Sequence, residues 1–363
     1  MRLIVKIGTS SVTSEQGHVR RDVIQNLCDE VATIRETAHD VVIVSSGAVG
    51  AGLPAIGFEG QRPRDARTLQ AASAVGQSRL MAIYNDALAV HGLVAGQILM
   101  TPLDFFERSQ YLQARGTLER LLELGVVPVI NENDAVADDA IRFGDNDRIA
   151  ALVAHLLGAE RLILLTDTAG LFTSDPRNDP DAALVHEISS VHDDLPAGIG
   201  GPGSTRGSGG MVSKVAAARM ASFSGVTTVI AAADRPGVLA DAIRETPGVG
   251  TIVRPQPRPL PAKKLWIAFA VEPAGRIMVD AGARSALERE GGSLLAVGVT
   301  GVSGDFKRGD SVELLDPDGA PFARGLAAVS ALDLATIIGV RTSEQPPGTP
   351  GEVIHRDDLV LLR

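Results

Sequence analysis

The sequence predicts an α/β fold, a mainly parallel sheet sandwiched by helices, followed by a small β-rich domain. Three observations carry that expectation. Short apolar runs alternate with runs of helical period through the first 250 residues, the pattern of a parallel sheet covered by helices. A stretch with four prolines in eight residues, RPQPRPLP at 254–261, reads as an extended, semi-rigid connector. Beyond it come short alternating runs, as at 275–280 and 311–315, broken by DPDG and PPGTPG turns. The expected organisation is therefore a first domain at 1–254, a proline-rich linker at 255–262 and a β-rich domain at 263–363.

The strands of the first domain are expected at 3–7, 41–44, 94–99, 126–130, 162–165 and 227–231. Between them, Val23, Leu27, Val31 and Ile34 repeat at helical spacing, as do Ile149, Leu152, Val153 and Leu156. Such stripes pack on a sheet. Cys28 lies beside the first stripe, which reads as a buried structural thiol.

Composition narrows the classes of function. The 363 residues suit two or three domains, and 45% apolar against 21% charged residues argues against disorder. A net charge of -10 repels nucleic acid and anionic membrane over most of the surface, so an anionic ligand needs a local positive pocket. With nine Phe, two Tyr and one Trp, stacking platforms for bases are not expected. One cysteine excludes an intrachain disulfide and a thiolate metal cluster, and points to a reducing compartment. The start MRLIVKIG reaches Lys6 after three apolar residues, too few for the apolar region of a signal peptide, and the uncharged stretch 41–58 is too rich in glycine to span a membrane. The expected location is the cytoplasm, with no membrane partner.

In open α/β sheets ligands bind at the carboxyl ends of the strands. The residues there are small and polar: KIGTSS at 6–11, SSGAVGAG at 45–52, NENDAV at 131–136 and TDTAGLF at 166–172. One such loop is ordinary, but four on one sheet edge make a crevice rich in backbone N–H groups, suited to a polyphosphate. A fifth segment, AGIGGPGSTRGSGG at 197–210, has seven glycines and runs into a helix that carries Lys214 in its first turn, which favours a phosphate over a plain linker. The chain has 29 arginines but five lysines, and the two lysines before residue 260 are Lys6 and Lys214. A slim ammonium serves there as a movable point charge, where a forked guanidinium fits less well.

The Walker pattern, the GxSxG elbow and HExxH are absent, so P-loop, serine hydrolase and zinc-enzyme readings lack their residues. RFGDNDR at 142–148 puts Asp145, Asn146 and Asp147 in a row at the start of a helix. One of them suits N-capping, and the surplus carboxylate and amide suit an ammonium group, a lysine or magnesium.

KIGTSS, VIVSSGAVGAG, AVGQSRLM, VVPVINENDAV, FGDNDR, LLTDTAGLFTSDPR and GSGGMVSKVAAA together resemble the glutamate 5-kinases of the amino acid kinase family, over nearly the whole chain. The tail from KKLWIAF through GVTGVSGDFKRGDSVEL resembles a PUA domain. The resemblance implies ATP-dependent phosphorylation of the glutamate γ-carboxylate at the first step of proline synthesis, with Mg²⁺, feedback inhibition by L-proline and a homo-oligomer. By motif it makes Lys6 and Lys214 catalytic contacts to phosphate, with Asp147 holding both lysines. Lys6, Gly8, Thr166, Asp167, Ser208, Gly209, Gly210, Met211, Val212, Ser213 and Lys214 become nucleotide positions. Ser46, Gly47, Asn131, Asp134, Asp145 and Asn146 become glutamate positions, and no residue is assigned to the metal. Serines stand at two positions of GSGGMVSK where the family commonly has threonine. The alternatives are an amino acid kinase acting on aspartate, acetylglutamate or a nucleotide, and an RNA-binding protein working through its tail. The acidic balance and few aromatics disfavour RNA.

Overall fold

Strand β1 (Arg2–Ile7) is buried along its length after Arg2, which a strand requires when both faces of its sheet are covered. The structure is a computed structural model, and it describes all residues except 106, 137–145, 190–209, 258, 271–272 and 363. By its internal contacts the chain divides into two units, Met1–Pro259 and Leu260–Arg363.

In the first unit, β2 (Asp40–Ser45) pairs in parallel with β1, setting Lys6 opposite Val44. A short helix, α1 (Thr9–Val12), follows β1, and α2 (Arg21–Glu36) buries Val23, Leu27, Val31 and Ile34 on the sheet. Cys28 is buried with them, and burial pushes its thiol up to about 12, so no thiolate is available at neutral pH.

Helices α3 (Ala48–Gly52) and α4 (Ala66–Ala89) cross so closely that glycine is required on both. A Cβ on Gly52 would stand 1.8 Å from the carbonyl oxygen of Ala72, and one on Gly76 would stand 1.8 Å from that of Ala48. Asp65 caps α4 by accepting from the Thr68 N–H at 2.8 Å.

Next come β3 (Ala95–Met100), α5 (Arg108–Glu123) and β4 (Val127–Glu132). β3 begins and ends one residue later than the pattern at 94–99 predicts, and β4 runs two residues past 130. Asn131 and Glu132 are thus strand residues held in register against Leu99 and Met100 rather than loop residues. Helix α6 (Asn146–Leu156), β5 (Arg161–Thr166), the two-residue β6 (Glu187–Ile188), α7 (Met211–Phe223), β7 (Thr227–Ala232), α8 (Val238–Arg244) and β8 (Thr251–Val253) complete the described elements.

The eight strands lie in the order β3-β4-β2-β1-β5-β7-β8-β6, and all neighbours are parallel except β7 and β8. From β1 the chain builds toward one edge of the sheet, and from β5 toward the other. The carboxyl ends of β1 and β5 are therefore the topological switch point, where such sheets open a crevice.

The second unit holds a five-stranded sheet, ordered β10-β9-β11-β12-β13, made of β9 (Gly275–Val279), β10 (Val299–Gly304), β11 (Ser311–Leu315), β12 (Pro321–Leu326) and β13 (Leu359–Leu361). β9 alternates buried and exposed positions, as a sheet with one covered face requires. The DPDG turn is organised by buried Asp316, which accepts from the backbone N–H groups of Asp318 and Ala320 and from Arg284 Nη1 at 2.6 Å.

Candidate active site

Lys6 is the penultimate residue of β1, Asp147 lies in the first turn of α6, and Lys214 lies in the first turn of α7. The fold brings all three together. Lys6 Nζ stands 2.5 Å from Asp147 Oδ1, and Lys214 Nζ stands 3.3 Å from Asp147 Oδ2. Ser213 Oγ donates to the same Oδ2 at 2.7 Å.

Each of the three charged side chains is more than 90% buried. Burial alone would push the Asp147 carboxyl up, but the two ammonium charges and the hydrogen bonds from Lys6 and Ser213 prevail and hold it well below the usual carboxylate range. Within this trio two ammonium groups face one carboxylate, an arrangement that suits an anionic ligand.

Backbone groups surround the cluster. A Cβ on Gly8 would lie 3.8 Å from both Lys6 Nζ and the Leu165 carbonyl, so the turn after β1 runs beside the ammonium and the end of β5. Helix α7 (Met211–Phe223) has Gly210 at its N-cap, which supplies no side-chain cap. Met211 is half-buried and Val212 is exposed. At the end of β5, Thr166 Oγ1 donates to Asp167 Oδ1 at 3.0 Å. Ser208 and Gly209 lie outside the described residues.

A second group of side chains gathers at the ends of β2 and β4. Ser46 is buried, and Gly47 has φ of 101°, a left-handed turn in which a Cβ would meet Val12 Cγ2 at 2.7 Å. The backbone N–H of Glu132 donates to both Asn131 Oδ1 (2.9 Å) and Asn146 Oδ1 (3.0 Å). Asn131 Nδ2 donates to Gln77 Oε1 at 2.7 Å. Asn146 therefore faces the end of β4, while its neighbour Asp147 faces the lysines. Asp145 lies outside the described residues.

Asp134 is 4% exposed, and its Oδ2 accepts from Ser73 Oγ at 3.4 Å. Its Oδ1 is buried without a hydrogen-bond partner among the described residues. Burial pushes the carboxyl up to about 6, against weaker opposing effects from Ser73 and the Arg62 charge. A buried, half-satisfied carboxylate of this kind suits an ammonium group.

Sequence reasoning missed Ser73 and Gln77 of α4. Their signal was a polar side chain within a run of small residues, AASAVGQS, on a helix whose other buried positions are apolar or glycine. Among the described residues no three His, Cys, Asp or Glu side chains gather to hold a metal, and both oxygens of Asp147 face ammonium groups.

The amino acid kinase family model matches residues 1–232, and the PUA domain model matches 275–344. The chain belongs to the amino acid kinase family. Among members of this family, it is 45% identical to the glutamate 5-kinase of Citrifermentans bemidjiense over 99% of this chain and 97% of that protein. It is 45% identical to the glutamate 5-kinase of Mycobacterium tuberculosis H37Rv, over 99% and 94%, and 44% identical to that of Herpetosiphon aurantiacus, over 100% and 98%. This amino acid kinase also shares its fold with the isopentenyl phosphate kinase of T. acidophilum in a product complex. There the TM-score is 0.50 at 19% identity, covering 70% of this chain and all of that one. No described helix is long and apolar enough to cross a membrane.

Proposed function

We propose that this amino acid kinase transfers the γ-phosphoryl group of ATP to the γ-carboxylate of L-glutamate, giving L-glutamyl 5-phosphate and ADP at the first step of proline biosynthesis. The observation that carries the proposal is the buried Lys6–Asp147–Lys214 cluster, two ammonium groups on one carboxylate at the switch point of the sheet. A carboxylate with a reference pKa of about 4.3 is ionised at neutral pH and attacks phosphorus without a general base. The obstacle is repulsion between two anions. Lys6 and Lys214 offset it and stabilise charge on the transferring phosphoryl group, which depends mainly on positioning and electrostatics. Asp147 keeps both ammonium groups aimed at one place.

On this reading Gly8, Thr166, Asp167 and the segment Gly210, Met211, Val212, Ser213 and Lys214, with Ser208 and Gly209 before it, serve the nucleotide. The Ser213 hydroxyl then acts through Asp147, to which it donates. Ser46, Gly47, Asn131, Asn146 and Asp145 frame the glutamate, and Asp134 receives its α-ammonium. Mg²⁺ bound with the nucleotide would supply charge neutralisation at its phosphates. The reading assigns catalysis to 1–254, treats 255–262 as a linker and 263–363 as a PUA-like unit, and places the enzyme in the cytoplasm as a homo-oligomer.

The test is hydroxylamine trapping of the acyl phosphate with L-glutamate, L-aspartate and N-acetyl-L-glutamate supplied in turn. Hydroxamate is expected with glutamate, and product with another acid instead would overturn the proposal.

Asp134 gives a pH signature. Its carboxylate is needed for an ammonium ligand and forms only above about pH 6. The glutamate kcat/KM should therefore fall about tenfold per pH unit below 6, a window above the ionisation of the substrate γ-carboxylate. Asp134→Asn should flatten that limb and raise the glutamate KM. The sign for stability is opposite. A carboxyl whose folded pKa is raised favours folding below its ordinary pKa of 3.8, and that benefit is lost as pH rises through about 6. The ligand-free Asn variant should thus be more stable than the wild type at pH 8, by up to about 3 kcal/mol, in thermal melts. A wild-type pH profile in the variant would remove Asp134 from the substrate site.

Feedback by L-proline belongs to the same reading. Millimolar-scale L-proline should inhibit competitively with glutamate, and insensitivity of the purified enzyme would refute that part alone.

A further inference from the structure

Helix α4 buries three polar side chains, Ser73, Gln77 and Tyr84, among apolar residues and a glycine. Their spacing of four and then seven residues brings all three within about 40° of one another around the helix, on a single face. Buried polar groups need hydrogen-bond partners, and each of these finds its partner in a different segment of the proposed glutamate pocket. Ser73 Oγ donates to Asp134 Oδ2 at 3.4 Å, and Gln77 Oε1 accepts from Asn131 Nδ2 at 2.7 Å. The Tyr84 hydroxyl lies 2.9 Å from Ser45 Oγ, at the end of β2 and next to Ser46. None of these bonds involves Lys6, Asp147 or Lys214.

The partners dictate how these groups are turned. The backbone N–H of Glu132 can only donate, so the Asn131 atom it meets is the oxygen, and the Asn131 nitrogen is left for α4. The Gln77 atom that faces this nitrogen must then be an acceptor, its own oxygen. Without it, one of the two bonds that fix the rotation of the Asn131 amide is gone. The same Glu132 N–H also reaches Asn146 Oδ1, so a turned Asn131 disturbs both asparagines. At the other segment Ser45 Oγ donates to the Ser46 carbonyl at 3.2 Å, which makes Tyr84 the donor between the two hydroxyls. That carbonyl lies in the planar peptide that leads into Gly47, so its direction sets the entry to the left-handed turn.

We infer that Gln77 and Tyr84 are positioning residues for the amino acid substrate: from one face of α4 they fix the Asn131 amide and the turn at Ser46. The inference rests on the proposed function and deepens it. Tyr84 has no exposed surface and acts through Ser45, and Gln77 acts through Asn131. A pocket whose groups are already turned to their bound directions spends less of the binding energy on ordering them. Loss of either side chain therefore weakens glutamate binding selectively, whereas loss of mere packing has no preferred substrate.

The experiment uses Gln77→Met and Tyr84→Phe in the full chain, two changes that keep the shape of the side chain and remove its hydrogen-bonding atom. Initial rates are measured with glutamate and ATP varied in turn, beside thermal melts without ligand. In each variant the glutamate KM should rise roughly fivefold and the ATP KM by less than about twofold. The double variant should show about the product of the two rises, because the side chains hold separate segments. Ile83→Val, which trims a buried apolar side chain of the same helix, should lower Tm and leave the glutamate KM unchanged. An unchanged glutamate KM in Gln77→Met and Tyr84→Phe would overturn the inference. So would an equal rise for ATP, or the same rise in Ile83→Val, since either reduces the two residues to packing. Failure of the wild type to form hydroxamate from glutamate would instead sink the underlying function.

Discussion

Lys214→Ala should lower kcat by about 10³-fold, roughly 4 kcal/mol of transition-state stabilisation, while the glutamate KM moves by less than threefold. The asymmetry follows from where the charge sits. Lys214 Nζ is held on Asp147 with Lys6 and buried from water, so in the proposed mechanism its charge acts strongly on the transferring phosphoryl group. The proposed glutamate pocket is built from other elements, the ends of β2 and β4 and the face of α4. Lys214→Arg should recover little, because a planar fork does not fit a buried point contact that shares one carboxylate oxygen with Ser213. The double variant Lys6→Ala, Lys214→Ala should lose far less than the product of the single losses, since the pair acts through one carboxylate as a unit. Steady-state kinetics with ATP and glutamate each varied would measure all of these. A Lys214→Ala enzyme with wild-type turnover would leave the proposed mechanism without its main electrostatic contribution.

Gly76→Ala should destabilise the first unit by about 3 kcal/mol or more and lower Tm by roughly 6 °C or more. The added methyl would stand 1.8 Å from the Ala48 carbonyl and 2.5 Å from the Gly52 N–H nitrogen, both backbone atoms that no rotamer change can move. The helices must separate, and the separation displaces the turn at Ser46 and Gly47 that precedes α3. Loss of glutamate affinity should therefore accompany the lower Tm. The control is Gly116→Ala on α5, an exposed position where a Cβ meets nothing within 4 Å. Helix propensity makes that change neutral or stabilising by up to about 1 kcal/mol. Equal melting behaviour of the two variants would show that the close crossing is not needed.

Much of the α/β frame was legible in the sequence because period and composition are local. The stripe Val23, Leu27, Val31 and Ile34 is buried on α2, and each of the six expected strands exists. The ends of β4 were not legible. Asn131 and Glu132 have poor strand propensity, and pairing with the β3 residues Leu99 and Met100 overrides it. The family could be read from motifs at strand ends, because those turns need particular small residues whatever packs around them.

By itself the sequence determined the order of strands and helices, the small polar turns at the sheet's carboxyl edge and the membership of a kinase family. Only the tertiary structure decided which carboxylate meets both lysines, that neighbouring Asn146 faces β4 instead, and that Ser73 and Gln77 of α4 meet Asp134 and Asn131. The physical reason is direction. Adjacent residues on a helix point about 100° apart, so Asn146 and Asp147 go to different destinations. Which of them meets a lysine more than 60 residues further along depends on how α6 and α7 pack at the end of β1.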